Sequence, residues 1–164
     1  MSIYTIEGAS SPPSLDDDTG VVVKELVVFH SLDHRWAVEA RYVTGVRLGQ
    51  IVTPLPGSER HVLGLVDLLG AIVPVFSLTE LLGLNREDTP RGMCNLLILG
   101  EHRAEFALHF AGASSFVRVS DELITYGSPA TFPEPSWVVG LLGDGTTILH
   151  GRAILDDRSF TVDH

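Results

Sequence analysis

From Val21 onward the apolar residues come in short runs separated by Gly, Pro, Asp or Asn, the spacing of a sandwich or barrel built from short strands. Helical periodicity is nearly absent. The clearest strand is Glu105 to Phe110, where Phe106, Leu108 and Phe110 alternate with Glu105, Ala107 and His109 and set one apolar face against a mixed one. Asn95 to Leu99 precedes it, and Gly100, Glu101, His102 and Arg103 supply the turn of a hairpin. A matching hairpin opens the pattern, with Glu25 to Phe29 and Trp36 to Val38 joined around Asp33 and His34. Near the end, Trp137 to Leu142 and Thr146 to Leu149 flank Asp144 and Gly145, a pair that favours a tight type I′ turn. One short helix is expected: Ser77 caps it, Glu80 completes a capping box, Leu78, Leu81 and Leu82 share a face, and Gly83 ends it. Pro129, Pro133 and Pro135 make residues 128–136 a surface connection, because proline cannot serve a central strand.

Composition places this pattern in one domain preceded by a tail. Ser10, Ser11, Pro12, Pro13 and Ser14, followed by Asp16, Asp17 and Asp18, cannot bury enough apolar surface to order themselves, so residues 1–20 are expected to be a flexible tail and residues 21–164 the domain. With 45% apolar and 20% charged residues the 164-residue chain can bury a sizeable core. Its apolar stretches are all interrupted short of the ~18 residues a membrane span needs, and the first residues lack the features of a secretory signal. Direct membrane insertion is not expected, and the expected location is cytoplasmic. The single cysteine, Cys94, lies in an apolar run and reads as a buried thiol. The net charge of −10, from 21 acids against 11 bases, argues against nucleic acid as a partner, since phosphate binding depends on Lys and Arg.

Candidate chemistry is sparse. The only lysine, Lys24, opens a strand and cannot serve a phosphate loop. His30 and His34 have the spacing of a helical zinc pair but straddle a hairpin turn, and the other histidines lack ligand spacing. Ser114 and Ser115 lie in a β-rich stretch without the strand-to-helix elbow of a hydrolase nucleophile. No catalytic residue, metal site or cofactor is expected, and the reading is non-enzymatic.

The segment from Ile51 to Leu84, IVTPLPGSERHVLGLVDLLGAIVPVFSLTELLGL, resembles the signature of the CheW-like chemotaxis coupling proteins: a Thr-Pro-Leu-Pro-Gly loop, a strand ending at a Leu-x-Gly turn, an apolar strand with proline and a short leucine helix. Leu26 to Val46 and the closing segment from Val139 to Leu149 follow in the family's order. The resemblance implies an all-β fold of two intertwined five-stranded SH3-like barrels with a few short helices. It also implies a non-enzymatic adaptor between the cytoplasmic tip of a chemoreceptor and the regulatory domain of the histidine kinase CheA. Mapped onto this chain, the partner-binding positions are Val43, Val46 and Arg47 on one strand, and Leu63, Gly64, Asp67, Leu68, Leu69 and Gly70 around one turn. Pro74 should place its strand at an edge or a bulge.

Several positions depart from the family pattern. Gly45 stands where an acidic residue is usual, and Asp67-Leu68-Leu69-Gly70 replaces Asn-Leu-Arg-Gly, so that leucine stands in place of an arginine. Ser77, Ala111 and His150 replace aspartates. The missing charges weaken the expectation that both usual partners are retained, because Arg–carboxylate pairs set orientation and specificity. The alternative is a divergent structural or inhibitory member that binds one of the two partners. Leu69 is expected either in the core between the halves or in an apolar docking patch.

Overall fold

Leu26, Val27, Val28 and Phe29 are all buried, without the alternation of a half-exposed strand, because their strand is covered on both faces. The computed structural model describes residues 22–31, 34–83, 93–130 and 132–162. The strands are β1 (Val23–Ser31), β2 (His34–Glu39), β3 (Val43–Ile51), β4 (Val62–Leu68), β5 (Ala71–Phe76), β6 (Met93–Leu99), β7 (Phe106–Ser120), β8 (Thr125–Tyr126), β9 (Val138–Leu141) and β10 (Thr147–Leu149). Two helices, α1 (Leu78–Leu82) and α2 (Gly151–Leu155), and a few 3-10 turns complete the described elements.

The strands form two barrel-like halves that share β7. Its first residues, Phe106 to Phe110, pair with β6 and at Ala107 and Leu108 with β5, while its later part pairs with β1 in the register Leu26 opposite Val117. One half therefore runs β7, β1, β2, β10, β9, β8, with β10 parallel to β2. The other contains β3, β6, β7, β5 and β4, and it is joined back on itself by Thr53, whose N–H and C=O each bond Leu65 at 2.8 Å. The expected all-β fold of two intertwined barrels is what the chain adopts. Five strands make the second half, and the first adds the two-residue β8.

Residue alternation distributes the apolar side chains among three cores. Leu26, Val28, Ala37, Val117 and Ile148 fill the first half, and Val66, Val73, Val75, Leu96 and Ile98 fill the second. The opposite faces of the same strands supply Val27, Phe29, Leu97, Leu99, Phe106, Leu108 and Phe110 to the largest cluster, which lies between the halves. Phe160 closes this layer, stacking on Phe106 at 4.6 Å between ring centres, with Trp137 tilted against it. The Trp137 Nε1–H donates to Asp157 Oδ2 at 2.8 Å, which ties the final 3-10 turn to the core.

Local expectations are met unevenly. Helix α1 starts at Ser77, whose hydroxyl accepts from the Glu80 N–H, and stops at Gly83 in the left-handed conformation. The capping box is half formed, because the Ser77 N–H donates to the His61 carbonyl and Glu80 pairs with Arg60 instead. Pro74 lies where β5 is paired with β4 on one side only, as expected for an edge position. The turn at Asp144-Gly145 is not type I′: Gly145 has φ 90° while Asp144 does not enter the left-handed region, and the Gly145 N–H closes on the Leu142 carbonyl. Gly143 adds the residue that converts a two-residue loop into a longer turn ending in a left-handed glycine. Helix α2, absent from the sequence expectation, is capped by His150, whose Nδ1 accepts from the Ala153 N–H at 3.3 Å. The tail expected over residues 1–20 and Asp33 of the first hairpin lie outside the described residues.

Candidate protein-docking surfaces

Leu68 pairs with Ala71, so β4 and β5 are joined by only two residues, Leu69 and Gly70. Their φ values of 56° and 97° are those of a type I′ turn, the form that matches the twist of a hairpin. Asp67 Oδ1 accepts from the Gly70 N–H at 2.7 Å and braces the loop. Asn, Asp or Gly is the usual first residue of such a turn, since a left-handed backbone costs an ordinary L-residue about 1–2 kcal/mol. Leu69 is the one described non-glycine residue with positive φ, and it is 91% exposed. The alternative that placed it in the core is thereby corrected: a hairpin tip projects away from both barrels. Ile72, 59% exposed, stands opposite Asp67 on the outward face of the same hairpin.

The remaining sequence-derived positions divide between surface and wall. Asp67 and Gly70 are exposed, and Leu68 is half-buried against the second barrel's interior. Leu63 is buried in that interior beside Val52 and Val73, where no partner reaches it. Gly64 is buried as well, and a Cβ there would stand 2.1 Å from the Thr53 carbonyl oxygen. Only glycine lets β4 approach the segment that closes the barrel, so Leu63 and Gly64 belong to the wall and are removed from the docking set. On β3, Val43 is half-buried against the central cluster, whereas Val46 and Arg47 are exposed. This strand pairs along its length only with β6 and bulges twice, as edge strands do. Among the described residues, the one backbone bridge between the β3 and β4 segments is at Thr53, beyond the end of β3, so the predicted positions form two separate surfaces.

Sequence reasoning missed Ile72 and a second apolar set of Leu48, Ile51 and Met93, in which Ile51 and Met93 face each other across β3 and β6. Period-two patterns give two faces but do not say which points outward, so no local signal marked them. Where the family's charges are missing, the local structure differs case by case. Gly45 has open space where a side chain would stand, Ala111 is exposed opposite His30, and Ser77 and His150 take helix-capping roles that aspartate also performs.

The polar groups elsewhere in the molecule engage neighbouring side chains or the core. His34 packs tilted against Trp36 and bonds Thr147 Oγ1 through Nε2 at 3.0 Å, and desolvation lowers its pKa. Burial raises the pKa of the Cys94 thiol, consistent with an unreactive core position. Burial opposes ionisation of Asp144, yet hydrogen bonds from Thr146 and the Arg35 guanidinium outweigh it and hold the carboxyl below its ordinary range. Ser114 and Ser115 lie in extended backbone within β7. Among the described residues no three His, Cys, Asp or Glu side chains converge as a metal site requires, and no helix is long and apolar enough to cross a membrane.

The fold and these surfaces define a double-barrel β protein with exposed apolar edges suited to holding other proteins. Residues 25–159 match the model of the CheW-like domain family, and the chain belongs to that family of chemotaxis scaffolds and adaptors. It is 28% identical over 101 residues to a probable chemotaxis protein CheW from Rhizobium etli, a match covering 62% of this chain and 64% of that relative. The fold is shared with the scaffolding protein TtCheW from Thermoanaerobacter tengcongensis, with a TM-score of 0.69 at 18% identity over 84% of this chain and 95% of that one.

Proposed function

We propose that this protein is a non-enzymatic cytoplasmic adaptor that couples chemoreceptors to the regulatory domain of a CheA-type histidine kinase, and that the β4–β5 hairpin tip is its kinase contact. The observation that carries the reading is Leu69: a large apolar side chain held in a left-handed backbone and left 91% exposed. Packing within the chain gives no reason to keep leucine there, whereas an apolar pocket on a partner does. Asp67, Leu68, Gly70 and Ile72 complete this contact, and Val43, Val46 and Arg47 on β3 supply the receptor-facing surface.

A second reading rests on the replaced charges. With leucine in place of the family's arginine and Gly45 in place of an acid, the chain would retain one of the two partners and act as a structural or inhibitory member. Binding measured separately against a kinase regulatory domain and a receptor-tip fragment decides between them. Binding of both supports the coupling role, binding of one supports the second reading, and binding of neither at micromolar concentrations refutes both.

A further inference from the structure

Between the loop that precedes β4, helix α1 and the last 3-10 turn lies a cleft of about 550 Å³, within the size range of small-molecule sites. Val62 pairs with Phe76 at this end of the β4–β5 hairpin and Leu68 with Ala71 at the other, so the cleft is remote from the Leu69 tip and its occupancy does not depend on the contact proposed above. Its charged lining is Glu59, Arg60, His61, Glu80 and Arg158. With the histidine neutral, two arginines meet two acids here, in a chain that carries 21 acids against 11 bases. The acidic excess that repels anions from the rest of the surface is absent from this cleft.

Both acids are engaged. Glu80, whose side chain is 10% exposed, lies 3.4 Å from Arg60 Nε, and Glu59 lies 3.4 Å from His61 Nδ1. Arg158, in contrast, is exposed and makes no ion pair among the described residues. Arg60 is 64% exposed, and its guanidinium carries more N–H donors than the facing carboxylate oxygen takes up. Phe160, two residues beyond Arg158 in the same turn, stacks on Phe106 in the central layer, so this side of the cleft is anchored to the core. Accessible guanidinium donors from two separate segments suit an anion with several acceptor oxygens, and the cleft is larger than a bare inorganic ion requires. We propose that this cleft binds a small organic phosphate monoester of nucleotide size, its phosphoryl oxygens accepting from Arg158 and Arg60 and its organic part resting against Val62, Leu81 and Val162.

The test titrates the full-length protein at constant ionic strength, observed by amide chemical shifts, with adenosine monophosphate, with adenosine and with inorganic phosphate. Saturable binding of the monophosphate is expected, with shifts within residues 57–62 and 158–162. Adenosine, which lacks the charge, and inorganic phosphate, which lacks the organic part, should each bind about tenfold more weakly or worse. Arg158→Gln removes an exposed group and should stay folded, and it is expected to weaken the monophosphate by about tenfold or more. Adenosine or inorganic phosphate binding as tightly as the monophosphate, shifts confined to other surfaces, or no saturation at millimolar concentrations overturns the proposal. Unaltered affinity in the variant does so as well. Should the variant fail to fold, the shift map and the ligand preference of the natural chain decide alone.

Discussion

Replacing Leu69 with asparagine is expected to stabilise the fold while weakening partner binding, and the opposite signs make the substitution informative. Leu69 has φ 56° in a two-residue loop, a conformation asparagine tolerates much better than leucine. Relief of part of the left-handed penalty of about 1–2 kcal/mol gives a gain near 1 kcal/mol. Leu69 is 91% exposed, so the change sacrifices almost no packing within the chain. In a protein of this size about 1 kcal/mol raises the melting temperature by roughly 2–4 °C. Burying the leucine in a partner is worth about 1.5–3 kcal/mol, so its removal should raise Kd by roughly 10- to 100-fold. Thermal unfolding by circular dichroism and biolayer interferometry against a kinase regulatory domain read the two effects. An unchanged or lowered melting temperature refutes the backbone argument. A raised one with undiminished affinity refutes the docking role of Leu69. Leu69→Arg, which leaves the strain in place at an exposed tip, should stay folded, and tighter kinase binding by that variant would show that the arginine usual in the family serves the same interface.

Three further outcomes follow from the geometry. Gly64→Ala should destabilise the protein by about 3 kcal/mol, because its Cβ would stand 2.1 Å from the Thr53 carbonyl oxygen; a urea midpoint within error of the natural protein would refute the barrel-closing role. His150→Ala should cost about 0.5–1 kcal/mol by uncapping α2, while His150→Asp should restore or exceed the natural stability, and equal values for all three would show that the cap is inert. Desolvation holds the His109 pKa below its usual value near 6.5, so the unfolded chain takes up the proton first and the stability this provides is present above ~6.5 and lost as pH falls. His109→Phe should therefore gain stability relative to the natural protein between pH 7.5 and 5.5, and a constant difference across that range would count against the assignment.

The hairpins and α1 were legible because their determinants are local: period-two alternation, turn residues and a Ser–Gly pair of caps. Helix α2 was hidden since histidine is outside the usual set of capping residues, although its Nδ1 accepts the same hydrogen bond. The later part of β7 begins Ala-Gly-Ala-Ser-Ser, which has weak strand propensity and forms a bulge, with Gly112 at φ 73°, before the strand settles into register with β1 at Ser115. Of the site, the hairpin tip could be located from its Leu-Gly turn and signature context. The burial of Leu63 and Gly64 could not, because it depends on Thr53 closing the barrel across a non-local bridge. Leu48, Ile51, Ile72 and Met93 were missed for the complementary reason that outward exposure is a property of the assembled sheets.

The 15-residue strand β7, whose two ends belong to different barrels, makes the halves inseparable. Its backbone runs through both halves, passing from β6 to β1 across a bulge at which Gly112 takes φ 73°, and the chain enters the first half, crosses to the second and returns along it. Cutting between β6 and β7 cannot yield two independently folding pieces, because each would lack a wall. The β3 edge and the β4–β5 tip both lie in the second half, so two proteins held there would be spaced by one barrel closed at Thr53 and Leu65 rather than by the length of β7.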